Sequence, residues 1–308
     1  MLALLSLLLV ASNLFGAAPK YELKTTTARL VIDQKNNVVI VDNSGAIQLY
    51  SNLAQLWSTT LTHAETGTES TFVPNGDATV SQSDGVIYIK ATAGTDQAFQ
   101  ADLTIAVRDD SFHFGGSVRA AAGWNINDLT YPVFDDIRFK KGKAGVYWPA
   151  GLGQYFENPD DFKNKSARYP SGLTMAMPWY SLNQGDAGLY IGSHDPAQET
   201  KVFDLDYDKN AGIFRTKIKS DIFDSEYTIP DMVIRPYSGD WHVAAKHYRS
   251  WYNQHFELPS PPEWVKDDSG WLLAILKQQN MEIMWPYDQL DKLCDIAEAY
   301  NLGTVALF

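Results

Sequence analysis

The sequence predicts a mainly β protein in which a large β-sandwich is followed by a linking helix and by the first βαβ unit of an incomplete (β/α)₈ barrel. The first observation is a long series of short apolar stretches between residues 21 and 234, separated by Gly, Asn and Asp turns, as in β-sandwiches. The second is a change to a helical period after residue 240. The third is the connector Leu258-Pro-Ser-Pro-Pro262, which suits neither a helix interior nor a central strand.

The strands of the first domain are predicted in order along the chain. Residues 28–33 and 38–41 flank Gln34-Lys-Asn-Asn37, an arrangement that indicates a β-hairpin. Turn clusters at Asn75-Gly-Asp77 and Ser83-Asp-Gly85 separate later strands. We assign residues 19–236 to the β-sandwich domain. The further strands are expected at 46–50, 86–92, 98–107, 111–120 and 136–140.

The linking helix is predicted over residues 240–256, where aromatic and small apolar side chains recur on one helical face. Ser238, Gly239 and Asp240 precede it and supply N-cap chemistry. The helix and the Pro-rich connector together occupy 237–262. The side chains expected on the inner face are Trp241, Ala244, Ala245, Tyr248, Trp251, Tyr252 and Phe256.

Residues 263–308 predict one strand–helix–strand unit. A buried strand is expected at 271–276, a helix at 287–300, and a second apolar strand from Thr304. The short return loop makes the two strands parallel. A parallel pair needs further neighbours, and a complete (β/α)₈ barrel takes about 250 residues. We therefore expect a chain cut inside its second domain, whose helix faces inward through Leu290, Leu293, Cys294, Ala297 and Tyr300.

Composition and charge limit the partners and cofactors. The 308 residues carry a formal net charge of −12 without a basic cluster, so nucleic acid is excluded as a partner. Cys294 is the one cysteine, so neither an internal disulfide nor a thiolate metal cluster can form. The nine Trp and sixteen Tyr suit stacking against sugar faces. We expect a carbohydrate partner, no cofactor and no metal.

The first 18 residues predict a secretory signal peptide. Leu2 to Ala11 is a short apolar core, and small residues near Gly16 to Ala18 suit cleavage. A membrane anchor is the alternative, but the apolar run is about half of the roughly 20 residues that a spanning helix requires. We expect a secreted or periplasmic protein with no membrane span after cleavage.

Three stretches carry a resemblance to a known group of proteins. They are GLYIGSHD at 188–195, SGDWHVAAKHYRSWY at 238–252 and PPEWVKDDSGWLLAILKQQN at 261–280. The chain resembles secreted bacterial glycoside hydrolases related to the α-galactosidase and endo-α-N-acetylgalactosaminidase groups. The resemblance implies a β-supersandwich of the galactose-mutarotase type, followed by a catalytic barrel. It also implies catalytic carboxylates on middle barrel strands, around the fourth and sixth, to which no position of this chain corresponds.

No catalytic residue is predicted within the chain. Glycoside hydrolysis generally uses two carboxyl groups about 5 to 9.5 Å apart, on either side of the bond that is cleaved. Adjacent residues of a strand point to opposite faces, so an extended pair of neighbours cannot flank one bond. This excludes the adjacent pairs Asp109-Asp110, Asp135-Asp136, Asp160-Asp161 and Asp267-Asp268.

Two groups of metal-ligand residue types have simpler interpretations. Asp204, Asp206 and Asp208 begin like a calcium loop, but Lys209 and Arg215 stand where that loop needs Gly and Glu. A charge-paired hairpin explains the aspartates better, because basic residues return opposite them. The histidines of the linking helix, His242, His247 and His255, lack the i,i+4 spacing of helical metal ligands, so we expect surface or packing roles.

Three stretches are candidates for binding a sugar. The aromatic loop at 146–159 is either a binding loop or a lid over the core, and MPWYSL follows at 177–182. The turn at 193–196 offers hydrogen-bonding groups, although turn chemistry alone also explains its aspartate. The residues after the first barrel strand lie where barrel sites form, but also suit a solvated loop. The predicted substrate-binding residues are Trp148, Tyr155, Trp179, His194, Asp195, Lys277 and Gln278.

Two functions remain open from the sequence. The first is the N-terminal portion of an exported glycoside hydrolase that acts on glycans, itself inactive because the catalytic carboxylates lie in the missing barrel. The alternative is a non-catalytic carbohydrate-binding β-sandwich module. A sandwich-type sugar epimerase is a third class, but the sequence offers no convincing set of His and Glu residues for it.

Overall fold

Two large antiparallel sheets contain most of the chain in a computed structural model, which describes residues 19–307. The predicted signal peptide lies outside the described residues. The strands of the first part are β1 Pro19–Lys24, β2 Ala28–Asp33, β3 Asn37–Asp42, β4 Ile47–Asn52, β5 Ser58–His63, β6 Glu69–Phe72, β7 Thr79–Ser83, β8 Val86–Ala93, β9 Phe99–Arg108, β10 Ser111–Ala120, β11 Trp124–Phe139, β12 Gly145–Trp148, β13 Gln154–Phe156, β14 Lys165–Tyr169, β15 Trp179–Gln184, β16 Ala187–His194, β17 Lys201–Asp208, β18 Ile213–Asp224 and β19 Glu226–Ser238.

The two sheets have different strand orders. The ten-stranded sheet runs β1-β2-β3-β4-β11-β18-β17-β14, with β5 paired to β11 and β6 paired to β5. The nine-stranded sheet runs β13-β12-β15-β16-β19-β10-β9-β8-β7. The expectation of a mainly β protein is therefore confirmed, and so is the first hairpin, because β2 pairs with β3 in antiparallel register.

The sheets pack face to face over a shared apolar core. Alternation along β8 buries Ile87 and Ile89 and leaves Lys90 exposed, as expected for a strand with one buried face. Phe114 of the nine-stranded sheet contacts Tyr131 and Phe134 of the ten-stranded sheet at ring-centroid distances of 6.0 and 5.8 Å. These contacts between layers make the first part a β-sandwich.

One predicted strand is a fragment of a longer one. The strand expected at 136–140 is the end of β11, which has 16 residues and shifts register three times against β18. Such bulges let one long strand bend and serve several neighbours, so its apolar pattern is not a simple alternation. This explains why only its last part was predicted.

The linking helix, α1, extends over Trp241–His255. The Asp240 carboxylate accepts a hydrogen bond of 3.0 Å from the His242 backbone N–H, which is the expected N-cap contact. One expectation is wrong: Trp241 is 36% exposed, whereas His247 is buried. The buried face of α1 is rotated from the predicted face toward His247, because this ring packs edge-on against Tyr190 of β16.

The chain divides into two compact units, one ending at His255 and the other beginning at Phe256. The predicted domain bounds themselves stay predictions. In the second unit the elements are α2 Glu263–Lys266, β20 Trp271–Ala274, a 3₁₀ turn Tyr287–Gln289, α3 Leu290–Ala299 and β21 Thr304–Leu307. Strands β20 and β21 are parallel, with Trp271 opposite Thr304, as the sequence predicted. The (β/α)₈ barrel around them stays a prediction.

The burial predicted in the second unit is partly wrong. Leu293 and Ala297 of α3 are buried as expected, but Cys294 and Tyr300 are exposed. Trp271 of β20 is 68% exposed and Leu273 shares its face, so the strand expected to be buried has one open side. The reason is that α3 covers one face of the two strands in the described part of this unit, and residues one apart point to opposite faces. Between residues 19 and 307, none of the helices has the length and apolar composition needed to cross a bilayer.

Candidate functional site

The aromatic loop of the sequence is a short hairpin of β12 and β13. Val146 and Trp148 are buried in the sandwich core, so Tyr147 between them points to the other side of the sheet. Tyr147 pairs with Tyr155 across the hairpin, and their rings stack at a centroid distance of 4.3 Å and an angle of 20°. A Cβ atom at Gly145 would lie 2.8 Å from the Tyr155 ring, so glycine at that position lets the ring lie close to the strand.

This hairpin forms one wall of a cavity of about 460 Å³, which we call the aromatic groove. Trp241, the first residue of α1, continues the stack, with its ring 5.8 Å from Tyr147 at an angle of 28°. Tyr155 is 54% exposed, so the row of rings reaches solvent. The groove is lined by Tyr147, Trp148, Pro149, Leu152, Gly153, Gln154, Tyr155, Met177, Trp179 and Trp241.

Three predicted sugar-binding residues therefore meet in one place. Trp148 and Trp179 are nearly buried, and the Trp148 indole N–H donates a hydrogen bond of 3.0 Å to the Thr174 carbonyl. These two support the groove, whereas Tyr155 offers it an open ring. Sequence reasoning missed Trp241 because its position on the helical face indicated burial. The binding role of all these residues stays a prediction.

The aromatic groove is electrically neutral. Its lining contains no Asp, Glu, Lys, Arg or His. Burial, and then the neighbouring Tyr155 phenol, raise the pKa of Tyr147 to about 12. The Tyr147 hydroxyl therefore stays protonated near neutral pH and can donate and accept hydrogen bonds.

Asp195 lies at the buried end of β16 and is engaged within the protein. Its Oδ1 accepts from the Ala197 N–H at 2.9 Å, and its Oδ2 accepts from the Glu199 N–H at 3.0 Å. The ammonium of Lys201, which is fully buried, donates to Oδ2 at 2.7 Å. The turn role that the sequence left open is thus present, and sugar binding by Asp195 stays a prediction.

His194, also predicted to bind sugar, is buried among other histidines. Its Nε2 lies 2.9 Å from the Tyr190 hydroxyl, and its ring stacks on Trp251 at 4.7 Å. The rings of His247 and His113 lie 5.3 and 6.1 Å away. Burial, then the neighbouring His247 and His113, lower the pKa of His194 to about 2, so this ring is neutral in the folded protein.

His247 of α1 is held in one tautomer. The Arg235 guanidinium, which can only donate, lies 3.0 Å from Nδ1, so Nδ1 accepts and Nε2 carries the proton toward the Ser111 hydroxyl at 3.3 Å. Burial, and then the Arg235 charge, lower the pKa of His247 to about 4. A cleft of about 390 Å³ beside α1 is lined by Asp109, His194, Arg235, Val243, Lys246, His247, Ser250, Trp251 and Gln254.

Lys277 and Gln278 lie in the second unit, after the end of β20. Lys277 forms an isolated bridge with Ile283, and the Gln278 backbone N–H donates to the Glu282 carbonyl at 2.9 Å. Both residues are exposed. They belong to a turn rather than to the strand end itself, and their sugar-binding role stays a prediction.

Two further acidic residues have structural partners. The hairpin expected around Asp206 is confirmed: β17 and β18 pair with Asp206 opposite Arg215, and the two side chains form an ion pair of 3.4 Å. An open cleft of about 650 Å³ includes Asp42 and Asp186 in its lining. The Asp42 carboxylate accepts from the Ser44 N–H at 3.0 Å and the Ile47 N–H at 2.5 Å, so it stabilises its own turn.

Comparison with known proteins gives similarity in structure but not in sequence. No protein-family model and no curated protein matches the chain. The alpha-N-acetylgalactosaminidase NagBb from Bifidobacterium bifidum, in its GalNAc complex, matches with a TM-score of 0.64 and 11% identity, over 93% of this chain and 51% of NagBb. This chain has a glycoside-hydrolase-like fold.

The ligand-free form of NagBb gives the same result, with a TM-score of 0.57 and 12% identity. The chain spans about half the length of these structures. At such low identity the similarity concerns the fold. The resemblance inferred from the sequence is supported at that coarser level, and its narrower relation to the α-galactosidase group stays a prediction.

Proposed function

We propose that this chain is the N-terminal portion of an exported glycoside hydrolase that acts on glycans. The observation that carries the proposal is the glycoside-hydrolase-like fold over 93% of the chain. The parallel β20–α3–β21 unit adds support, because it has the topology with which a (β/α)₈ barrel begins.

In this proposal the catalytic carboxylates belong to barrel strands that follow β21. The aromatic groove contains neither Asp nor Glu, and the cleft beside α1 contains a single carboxylate, Asp109. Glycoside hydrolysis generally requires two carboxyl groups facing one bond. Lys277 and Gln278 would contact the sugar from the turn after β20.

The test compares two proteins on aryl glycosides and on mixed glycans. One contains residues 19–308, and the other is the product of the uninterrupted reading frame that includes them. We expect hydrolysis by the longer product, and a loss of about 10²- to 10⁴-fold in kcat when one of the two catalytic barrel-strand carboxyl residues is changed to its amide. We expect no hydrolysis by residues 19–308.

Two results would contradict the proposal. One is hydrolysis by residues 19–308 alone, and the other is a reading frame that ends at Phe308. Export is tested separately, by recovering from the periplasm or the medium a mature chain that begins near Pro19.

A non-catalytic carbohydrate-binding β-sandwich is the second candidate. It is favoured by the exposed aromatic row of Tyr155, Tyr147 and Trp241 on the sandwich. A reading frame that ends at Phe308, together with sugar binding by the chain, would favour this function over the first.

A further inference from the structure

We propose that the aromatic groove binds an uncharged hexopyranose residue of a glycan, with the exposed ring of Tyr155 as its stacking face and with Tyr147 and Trp241 supporting that ring. The inference rests on the proposed function, since a protein that acts on glycans must hold them. It goes further by assigning a site on the β-sandwich and a class of sugar.

The first argument is the shape of the apolar surface. The three rings are close to parallel, at 20° and 28° between successive members, and they belong to two separate elements, the β12–β13 hairpin and α1. A pyranose ring has an apolar C–H face with hydroxyl groups around its edge. Tyr147 has Tyr155 on one side and Trp241 on the other, and Trp241 also stacks on His242. The exposed Tyr155 ring is therefore the one that offers its face to the sugar, with hydroxyl groups at the rim.

The second argument is the presence of polar groups beside the rings. Tyr147 and Tyr155 carry hydroxyl groups, and the exposed Gln154 amide offers both a donor and an acceptor. A few such groups in a mainly apolar cavity fix the orientation of a small ligand. The volume of about 460 Å³ falls within the range of about 300 to 1,000 Å³ that such sites have.

The third argument is charge. A carboxylate or sulfate placed in the aromatic groove would lose hydration without meeting a cation, because the lining has no Lys, Arg or His. An uncharged sugar avoids this cost. The groove should therefore discriminate against uronic acids and sulfated sugars.

The fourth argument is rigidity. Val146 and Trp148 anchor β12 in the core, and the Trp148 indole N–H is fixed to the Thr174 carbonyl. Tyr147 is confined between Tyr155 and Trp241. A platform that is already in place loses little conformational entropy when it binds, which suits weak ligands such as single sugars.

The test uses the full chain and two sugars that differ only at C6. Methyl galactoside and methyl galacturonide are titrated while protein NMR shifts are recorded. We expect methyl galactoside to bind at least about tenfold more tightly, a difference of about 1.4 kcal/mol. Tyr155→Ala and Trp241→Ala should each weaken that binding about tenfold, whereas Tyr155→Phe should retain most of it.

Tyr88→Ala is the matched control, because Tyr88 is similarly exposed on β8 of the same sheet but does not line the groove. Equal binding of the two sugars would overturn the inference, as would galactoside binding that survives both alanine substitutions. In the second case the sugar binds elsewhere and the glycan function stands. If neither sugar binds, the groove is not a sugar site. The same conclusion follows if the protein sediments as a dimer that Trp241→Ala dissociates. In both cases the hydrolase proposal is still decided by its own assay.

Discussion

Asp195→Ala should lower the free energy of unfolding of the β-sandwich by about 3 kcal/mol, because it removes the nearer of the two carboxylates that pair with a buried ammonium. The side chains of Lys201 and Asp195 are only 1% and 8% exposed. Without Asp195, the Lys201 ammonium keeps the Glu199 carbonyl at 3.2 Å and a more distant Glu199 carboxylate at 3.6 Å. The measurement is urea unfolding at neutral pH, analysed with one shared m-value.

The controls separate charge from turn geometry. Asp195→Asn keeps an acceptor for the turn amides and removes the negative charge, so we expect a smaller loss than for alanine. Adding Lys201→Met to Asp195→Ala should restore part of the stability, since it removes the buried charge that has lost its nearer partner. Asp206→Ala breaks the ion pair with Arg215, whose members are 43% and 37% exposed, and should cost no more than about 1 kcal/mol. Equal losses for Asp195→Ala and Asp206→Ala would refute the argument.

The sequence was sufficient for the fold wherever local pattern and tertiary role agree. Residues 28–33 and 38–41 are short apolar runs on either side of a polar turn, and the structure has that hairpin. The helix period after Asp240 and the parallel pair of β20 and β21 were predicted for the same reason. β11 was only partly predicted, because its bulges disturb the alternation on which strand prediction depends.

The candidate sites were predicted less completely, because they depend on contacts between distant parts of the chain. Trp148, Tyr155 and Trp179 were chosen as aromatic residues in loops, yet their meeting with Trp241 follows from where α1 packs. Helical periodicity placed Trp241 inside, since it cannot tell a buried aromatic residue from one that lines an open groove. Periodicity also missed the burial of His247, whose partners Tyr190 and Arg235 lie on β16 and β19.

Acidification should destabilise the first unit through His194 and His247. An imidazole in the unfolded chain has a pKa of about 6.5, whereas the folded values are about 2 for His194 and about 4 for His247. The unfolded state therefore binds more protons below pH 6.5, and stability falls as the pH drops. The loss from His247 is complete near pH 4, and that from His194 continues toward pH 2. The charged or titratable groups around the pair are Asp109, Asp110, His113, Asp231, Arg235 and His255.

The expected size of the effect is about 1.4 kcal/mol per pH unit for each imidazole, or about 3–5 kcal/mol for both between pH 7 and pH 4.5. Hydrogen exchange of the β16 and α1 amides measures it, since His194 and His247 lie at the contact between these elements. Carboxylates elsewhere also titrate in this range. The decisive quantity is therefore the difference between variants in the slope of the free energy of unfolding against pH. His194→Gln and His247→Gln should each reduce the slope by about one bound proton, whereas Asn253→Gln, an exposed position of α1 without a titratable side chain, should leave it unchanged. Equal slopes in all four proteins would mean that the two buried rings are not the groups that acid must protonate.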